Sequence, residues 1–164
     1  MIKLLVFDVD GCLTDGSIIY GTNKDEYKAF NVKDGLAIAS WSRLGLKSAI
    51  ITGRNSKVVE RRAKELNITH LHQGIKDKKA LLEEILKEEN LSWENVAAIG
   101  DDLNDFGMLQ KVGWSFTPND GVSKIKNIVK TILKTDGGKG AIREMIDMIA
   151  KEDKLEEEFL KLWQ

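Results

Sequence analysis

Asp8 and Asp10 follow the apolar run Leu4-Leu5-Val6-Phe7, separated only by Val9, and Gly11 comes directly after them. A buried strand ending in two acids presents both carboxylates at the carboxyl edge of its sheet, where open α/β sheets place their ligands. Two like charges this close resist ionising together unless a cation or a proton is shared between them. The pattern asks for a divalent metal, a shared proton, or both. Three later apolar runs end in complementary groups. Thr52-Gly53-Arg54 offers a hydroxyl and a glycine N–H that an anion can approach closely. Gly74-Ile75-Lys76-Asp77-Lys78 offers ammonium groups, and Gly100-Asp101-Asp102-Leu103-Asn104-Asp105 offers more acids. This is an inventory for phosphate plus Mg2+. Carboxylates share the hard cation with a phosphate oxygen, while lysine, hydroxyl and backbone N–H groups hold the remaining oxygens. Phosphoryl transfer needs mostly such positioning and charge neutralisation. Within the acidic pair, Asp8 suits in-line attack on phosphorus, and Asp10 suits protonation of the leaving oxygen and later deprotonation of water.

These residues require a scaffold that brings four strand ends to one edge. β-rich runs alternate with amphipathic helical windows, the pattern of a doubly wound parallel sheet with helices on both faces, Rossmann-like in outline. Strands are predicted at Lys3–Asp10, Ser48–Gly53, His70–Gly74, Val96–Asp101 and Trp114–Thr117, and helices at Asp34–Leu44, Ser56–Leu66 and Asp77–Glu89, the last capped by Asp77. Residues 17–32 break the alternation: two β-prone runs around Gly21-Thr22-Asn23-Lys24 read as a hairpin overhanging the acidic pair. It is too short to close the pocket as a cap domain would. Its exposed edges and the aromatics Tyr20, Tyr27 and Phe30 invite pairing with another subunit. Leu155, Phe159 and Leu162 sit at helical spacing in the charge-rich tail, as in a surface-docked helix. Trp41, Trp114, Met145 and Met148 are expected in the core.

At 164 residues the chain is expected to form one domain with a core of its own. Apolar residues make up 42% and charged residues 31%, an ordinary globular balance. A net charge of −1 gives no reason to expect nucleic acid or an anionic membrane as partner. No apolar run approaches roughly twenty residues, and no cationic leader precedes the first strand. The single cysteine, Cys12, excludes an internal disulfide framework and fits a reducing compartment. The expected location is the cytoplasm.

The four ordered motifs, Asp8-Val9-Asp10-Gly11, Ile51-Thr52-Gly53-Arg54, Lys78 and Gly100-Asp101-Asp102-Leu103-Asn104-Asp105, resemble those of the haloacid dehalogenase superfamily. Thr14-Asp15-Gly16, Lys28-Ala29-Phe30-Asn31-Val32-Lys33-Asp34-Gly35, Gln73-Gly74 and Gly137-Gly138-Lys139-Gly140-Ala141-Ile142-Arg143-Glu144 are similar to its small, capless sugar-acid phosphatases. The resemblance implies a Mg2+-dependent phosphomonoesterase with an aspartyl-phosphate intermediate. The metal would be held by the Asp8 side chain, the Asp10 backbone carbonyl and Asp101. Thr52, Gly53 and Lys78 would hold the phosphoryl group. It further implies a homotetramer in which hairpins meet and Arg143 touches substrate in a neighbouring subunit. An eight-carbon sugar acid phosphate is the first substrate expected, with a nine-carbon deaminoneuraminate-type analogue as the alternative.

Several residues keep two readings. Arg54 could bind substrate carboxylate or hydroxyl groups, or pair with a surface acid. Asp102 and Asp105 could orient Lys78 or metal-bound water, or serve as helix N-terminal charge. His70 and His72 share a strand face without ligands at metal spacing. The glycines at 137–140 lack the ending of a P-loop and read as a linker or a substrate-facing tail. A phosphorylatable receiver domain shares the residue types but places its phosphoacceptor on a later strand. A phosphosugar mutase would need a larger lid.

Overall fold

The computed structural model describes residues 1–164. Its strands are β1 (Leu4–Phe7), β2 (Ile19–Tyr20), β3 (Glu26–Tyr27), β4 (Lys47–Ile51), β5 (His70–His72), β6 (Val96–Ile99), β7 (Trp114–Thr117) and β8 (Thr131–Ile132). The helices are α1 (Val32–Arg43), α2 (Lys57–Glu65), α3 (Lys78–Glu89), α4 (Phe106–Leu109), α5 (Ser123–Lys126), α6 (Ala141–Glu152) and α7 (Glu156–Lys161). Six strands form one parallel sheet in the order β5-β4-β1-β6-β7-β8, and β2-β3 form a separate antiparallel pair. This is the doubly wound α/β fold. The chain leaves β1 for β4 on one side and returns through β6 on the other, so the crevice for ligands opens at the end of β1.

Side chains on β1 alternate between two cores. Leu5 and Phe7 pack with Ala37, Ile38 and Trp41 of α1, Val59 and Ala63 of α2, and Met145, Ile146 and Ile149 of α6. Leu4 and Val6 face Leu82, Ile85 and Leu86 of α3, Met108 and Leu109 of α4, and Ile125 of α5. With both faces covered, β1 has no polar position, and its four residues are wholly buried. Asn31 caps α1 by accepting hydrogen bonds from the N–H groups of Lys33 and Asp34, and Asp77 caps α3 by accepting from Ala80.

The strand ends differ systematically from expectation. β1, β4, β5 and β6 stop two or three residues before the predicted boundaries, because the backbone turns away once the polar groups begin. Gly11, with φ of +94°, adopts a left-handed conformation in the turn after Asp10. α1 starts at Val32, taking the last residue assigned to the hairpin. β8 is an edge strand too short for its pattern to register in the sequence. Met145 is buried, but Met148 is 37% exposed because it lies off the apolar stripe of α6. Leu155 and Phe159 dock against the larger core, Phe159 edge-on to Trp41.

Trp41 joins these layers. It is fully buried, and its indole N–H donates to the Lys47 carbonyl at 2.8 Å. Trp41→Ala is expected to cost about 3–5 kcal/mol in denaturant unfolding; a loss under about 1 kcal/mol would contradict this packing.

Candidate active site

Register places the site. β1 pairs with β4 and β6 so that Phe7 sits level with Ile50 and Ile99. The next residues therefore emerge side by side, and Asp8, Thr52 and Asp101 meet at the carboxyl edge. They line a cleft of about 300 Å³ together with Asp10, Gly53, Arg54, Asp102 and Asn104, and no apolar side chain lines it. A Cβ at Gly53 would meet nothing nearer than 3.8 Å. Its lack of a side chain thus leaves the cleft open to an anion and is not forced by close neighbours.

Beneath the cleft, Lys78 at the start of α3 is wholly buried. Its ammonium donates to Asp8 Oδ1 at 2.8 Å and to Asp105 Oδ1 at 2.6 Å. Asp105, also fully buried, accepts from the backbone N–H of Asp101 at 3.0 Å through its other oxygen, and from that of Asp102 at 3.4 Å. Asp105 therefore anchors Lys78 and fixes the loop that carries Asp101. Glycine at position 100 makes room for it, since a Cβ there would lie 2.4 Å from the Asp105 side chain. Asp102 caps the turn Leu103–Asp105, accepting from the Leu103 N–H at 2.7 Å.

The carboxylates crowd one another. Burial pushes the Asp8 carboxyl up to about 6, with Asp105 adding to the shift and Lys78 opposing it. Asp101 is pushed up to about 8, first by burial and then by Asp8 and Asp105. Burial works against the charge on Lys78, yet Asp8 and Asp105 outweigh it and its pKa is raised. Three acids against one buried base leave an excess of negative charge that a divalent cation would neutralise.

Donor atoms of Asp8, Asp101 and Cys12 lie within 4.8 Å of one another. Burial and the same carboxylates drive the Cys12 thiol upward, so it stays protonated. The oxygen donors Asp8 and Asp101 are the pair suited to a hard cation. A Cβ at Gly11 would fall 2.0 Å from Asp101 Oδ2, so the bare glycine is what lets this carboxylate in.

The Asp10 carboxylate, also at the cleft, is tied to the hairpin. Its Oδ1 accepts from Lys28 at 2.5 Å, a hairpin lysine to which sequence reasoning gave no role. Glu26, two residues earlier, lies 2.9 Å from Lys28 and 3.5 Å from Arg54. The alternation of acid and base at positions 26 and 28 was the available signal. Arg143 does not line this cleft. On α6 its side chain pairs with Asp147 at 2.8 Å and its backbone N–H donates to the buried Asp34. The glycine segment at 137–140 is packed rather than free: Gly138 N–H donates to the Cys12 carbonyl, and a Cβ at Gly137 would overlap the Gly11 carbonyl. His70 is held by Glu89 at 2.7 Å on the sheet edge, away from the acids.

A family model described as haloacid dehalogenase-like hydrolase matches residues 70–146. 3-Deoxy-D-manno-octulosonate 8-phosphate phosphatase KdsC of Escherichia coli strain K12 is 42% identical over 148 residues, 90% of this chain and 79% of that protein. The chain belongs to the haloacid dehalogenase-like hydrolases, and it is a phosphatase. Among solved members of the family, the 3-deoxy-D-manno-octulosonate 8-phosphate phosphatase of Moraxella catarrhalis, in complex with magnesium ion, phosphate ion and a KDO molecule, superposes with a TM-score of 0.95. It is 39% identical, and the match covers 99% of this chain and 94% of that one. The cobalt-bound phosphatase of Haemophilus influenzae gives 0.87 at 38% identity, covering 92% and 88%.

In this hydrolase the raised carboxyls have a consequence for stability. Folded Asp8 and Asp101 hold protons more tightly than their ordinary value of 3.8 allows in the unfolded chain. Their contribution is fullest in acid and is lost as pH rises through about 6 and about 8. Asp34, also raised to about 6 by burial, adds to this trend but lies outside the donor set. In chelator, Tm should fall between pH 5 and pH 8, by roughly 10 °C or more. Mg2+ should raise Tm more at pH 8 than at pH 5, because its ligands must be deprotonated. A pH-independent Mg2+ increment would contradict this.

Proposed function

We propose that this phosphatase is a Mg2+-dependent phosphomonoesterase that releases phosphate from 3-deoxy-D-manno-octulosonate 8-phosphate. The observation that carries the reading is Asp8 at the floor of a wholly polar cleft, held by Lys78 and facing Asp101. The substrate comes from the named relatives in E. coli and M. catarrhalis. Asp8, Asp101 and the Asp10 backbone carbonyl would hold the cation, which when bound neutralises the phosphate and the acids around it.

The chain's own residues supply the rest. An oxygen of Asp8 attacks phosphorus, a new Asp8–phosphorus bond forms, and the ester P–O bond breaks. Asp10 gives its proton to the departing sugar oxygen. Water then attacks the aspartyl-phosphate and surrenders a proton to Asp10, the Asp8–phosphorus bond breaks, and phosphate leaves. Lys78 neutralises Asp8 and, with the Thr52 hydroxyl and Gly53 N–H, steadies the phosphoryl oxygens. Arg54, 42% exposed at the mouth, is the cation for the substrate carboxylate.

The same reading makes the protein a cytoplasmic homotetramer. Ile19, Tyr20 and Tyr27 of the hairpin are about half exposed or more, which suits burial against other subunits. Arg143 would then serve a neighbouring active site. No helix is long and apolar enough to cross a membrane.

Asp8→Asn is expected to lower kcat by at least about 10³-fold with the fold intact by circular dichroism; near wild-type turnover would refute the assignment. Steady-state kinetics should give the eight-carbon phosphate a higher kcat/KM than the nine-carbon deaminoneuraminate-type phosphate. The reverse order would move the substrate to the alternative. A stable phosphoprotein that turns nothing over would instead indicate a receiver-like module.

A further inference from the structure

The side chain of Lys28 is buried where that of a lysine is seldom found. It is 1% exposed, although the residue follows a two-residue strand in a hairpin that otherwise faces solvent. Lysine is almost never fully buried unless paired, and here the pairing is double, to Asp10 Oδ1 at 2.5 Å and Glu26 Oε1 at 2.9 Å. Adjacent Tyr27 points outward at 56% exposure, so the alternation of the strand turns Lys28 inward toward the acidic pair. Glu26 is shared in turn with Arg54. The result is a chain of alternating charge, Asp10–Lys28–Glu26–Arg54, running from the reacting centre to the mouth of the cleft.

We infer that Lys28 is a positioning residue: by holding Oδ1 of Asp10 it directs Oδ2 toward the leaving oxygen, so the hairpin orients the proton donor. This rests on the phosphatase reading above. Asp10 stands on a turn just beyond β1, and no other side-chain contact anchors its carboxylate. A displacement of about 1 Å in a catalytic group can cost about 10²-fold in rate. Pairing with Asp10 and Glu26 fixes the ammonium from two sides, and Arg54 steadies Glu26.

The leaving group separates this role from a merely structural one. A sugar alkoxide must be protonated as it departs, whereas p-nitrophenolate leaves without a proton. kcat/KM reports only the steps through ester cleavage, so it isolates that proton transfer from the later attack of water. Lys28→Met should lower kcat/KM for the sugar acid phosphate by roughly 30-fold and for p-nitrophenyl phosphate by no more than about 3-fold. Lys28→Arg should recover most of the difference. Lys28→Gln, which keeps a donor without the charge, should show the same split in smaller measure, and it decides the matter should the methionine variant not fold. Equal losses on both substrates, or no loss on either, in folded protein would overturn the inference while leaving the phosphatase reading intact. Wild-type protein inert toward both esters with Mg2+ would overturn both.

Discussion

Asp8, Asp105 and Lys78 are buried, Asp101 stands half-buried beside them, and only one of the four is a base. Burying charge is costly unless it is paired and hydrogen-bonded. Lys78 answers for Asp8 and Asp105, and the backbone N–H of Asp101 answers for the second oxygen of Asp105. Asp101 is left facing Asp8 with no cation of the protein's own. Its carboxyl accordingly holds a proton to about pH 8. The fold thus stores an unmet demand for positive charge at the point where phosphate must bind. A cation that satisfies the demand also brings phosphorus to the oxygen that attacks it.

The sheet makes this arrangement possible. A β1 without polar positions lets the chain bury its middle completely and still present an acid to the floor of the cleft one residue past its end. Level registers with β4 and β6 turn residues far apart in sequence into neighbours. Small residues then set how closely the loops approach. Gly11 admits Asp101 and Gly100 admits Asp105, and in both cases a methyl group would occupy the space of a carboxylate.

Much of this was legible in the sequence. Asp8, Thr52 and Asp101 each follow a short apolar run, and a parallel sheet can only deliver such residues to one edge. The strand ends were overrun because the apolar pattern does not show where a backbone turns. Asp105 kept two readings since, in sequence, a buried anchor for Lys78 looks like any acid at a helix start. Lys28 belongs to a segment the resemblance singled out, yet it had no role assigned, because its neighbours Glu26 and Asp10 come together only when the hairpin folds back over β1. Arg143 illustrates the opposite case: its motif is plain in the sequence, but within one chain it lies outside the cleft and holds Asp147. A resemblance can carry a residue's role across a subunit boundary, whereas periodicity and spacing along one chain cannot.

With its carboxyl raised to about 8, Asp101 carries a proton near pH 7 that a divalent ion must displace. Calorimetric titration of chelator-stripped protein with Mg2+, repeated in buffers of differing ionisation enthalpy, counts the protons displaced. With Asp8 raised to about 6 and Asp101 to about 8, about one proton should leave per ion near pH 7, declining toward none above about pH 9. Binding at pH 7 with no proton released would contradict the account.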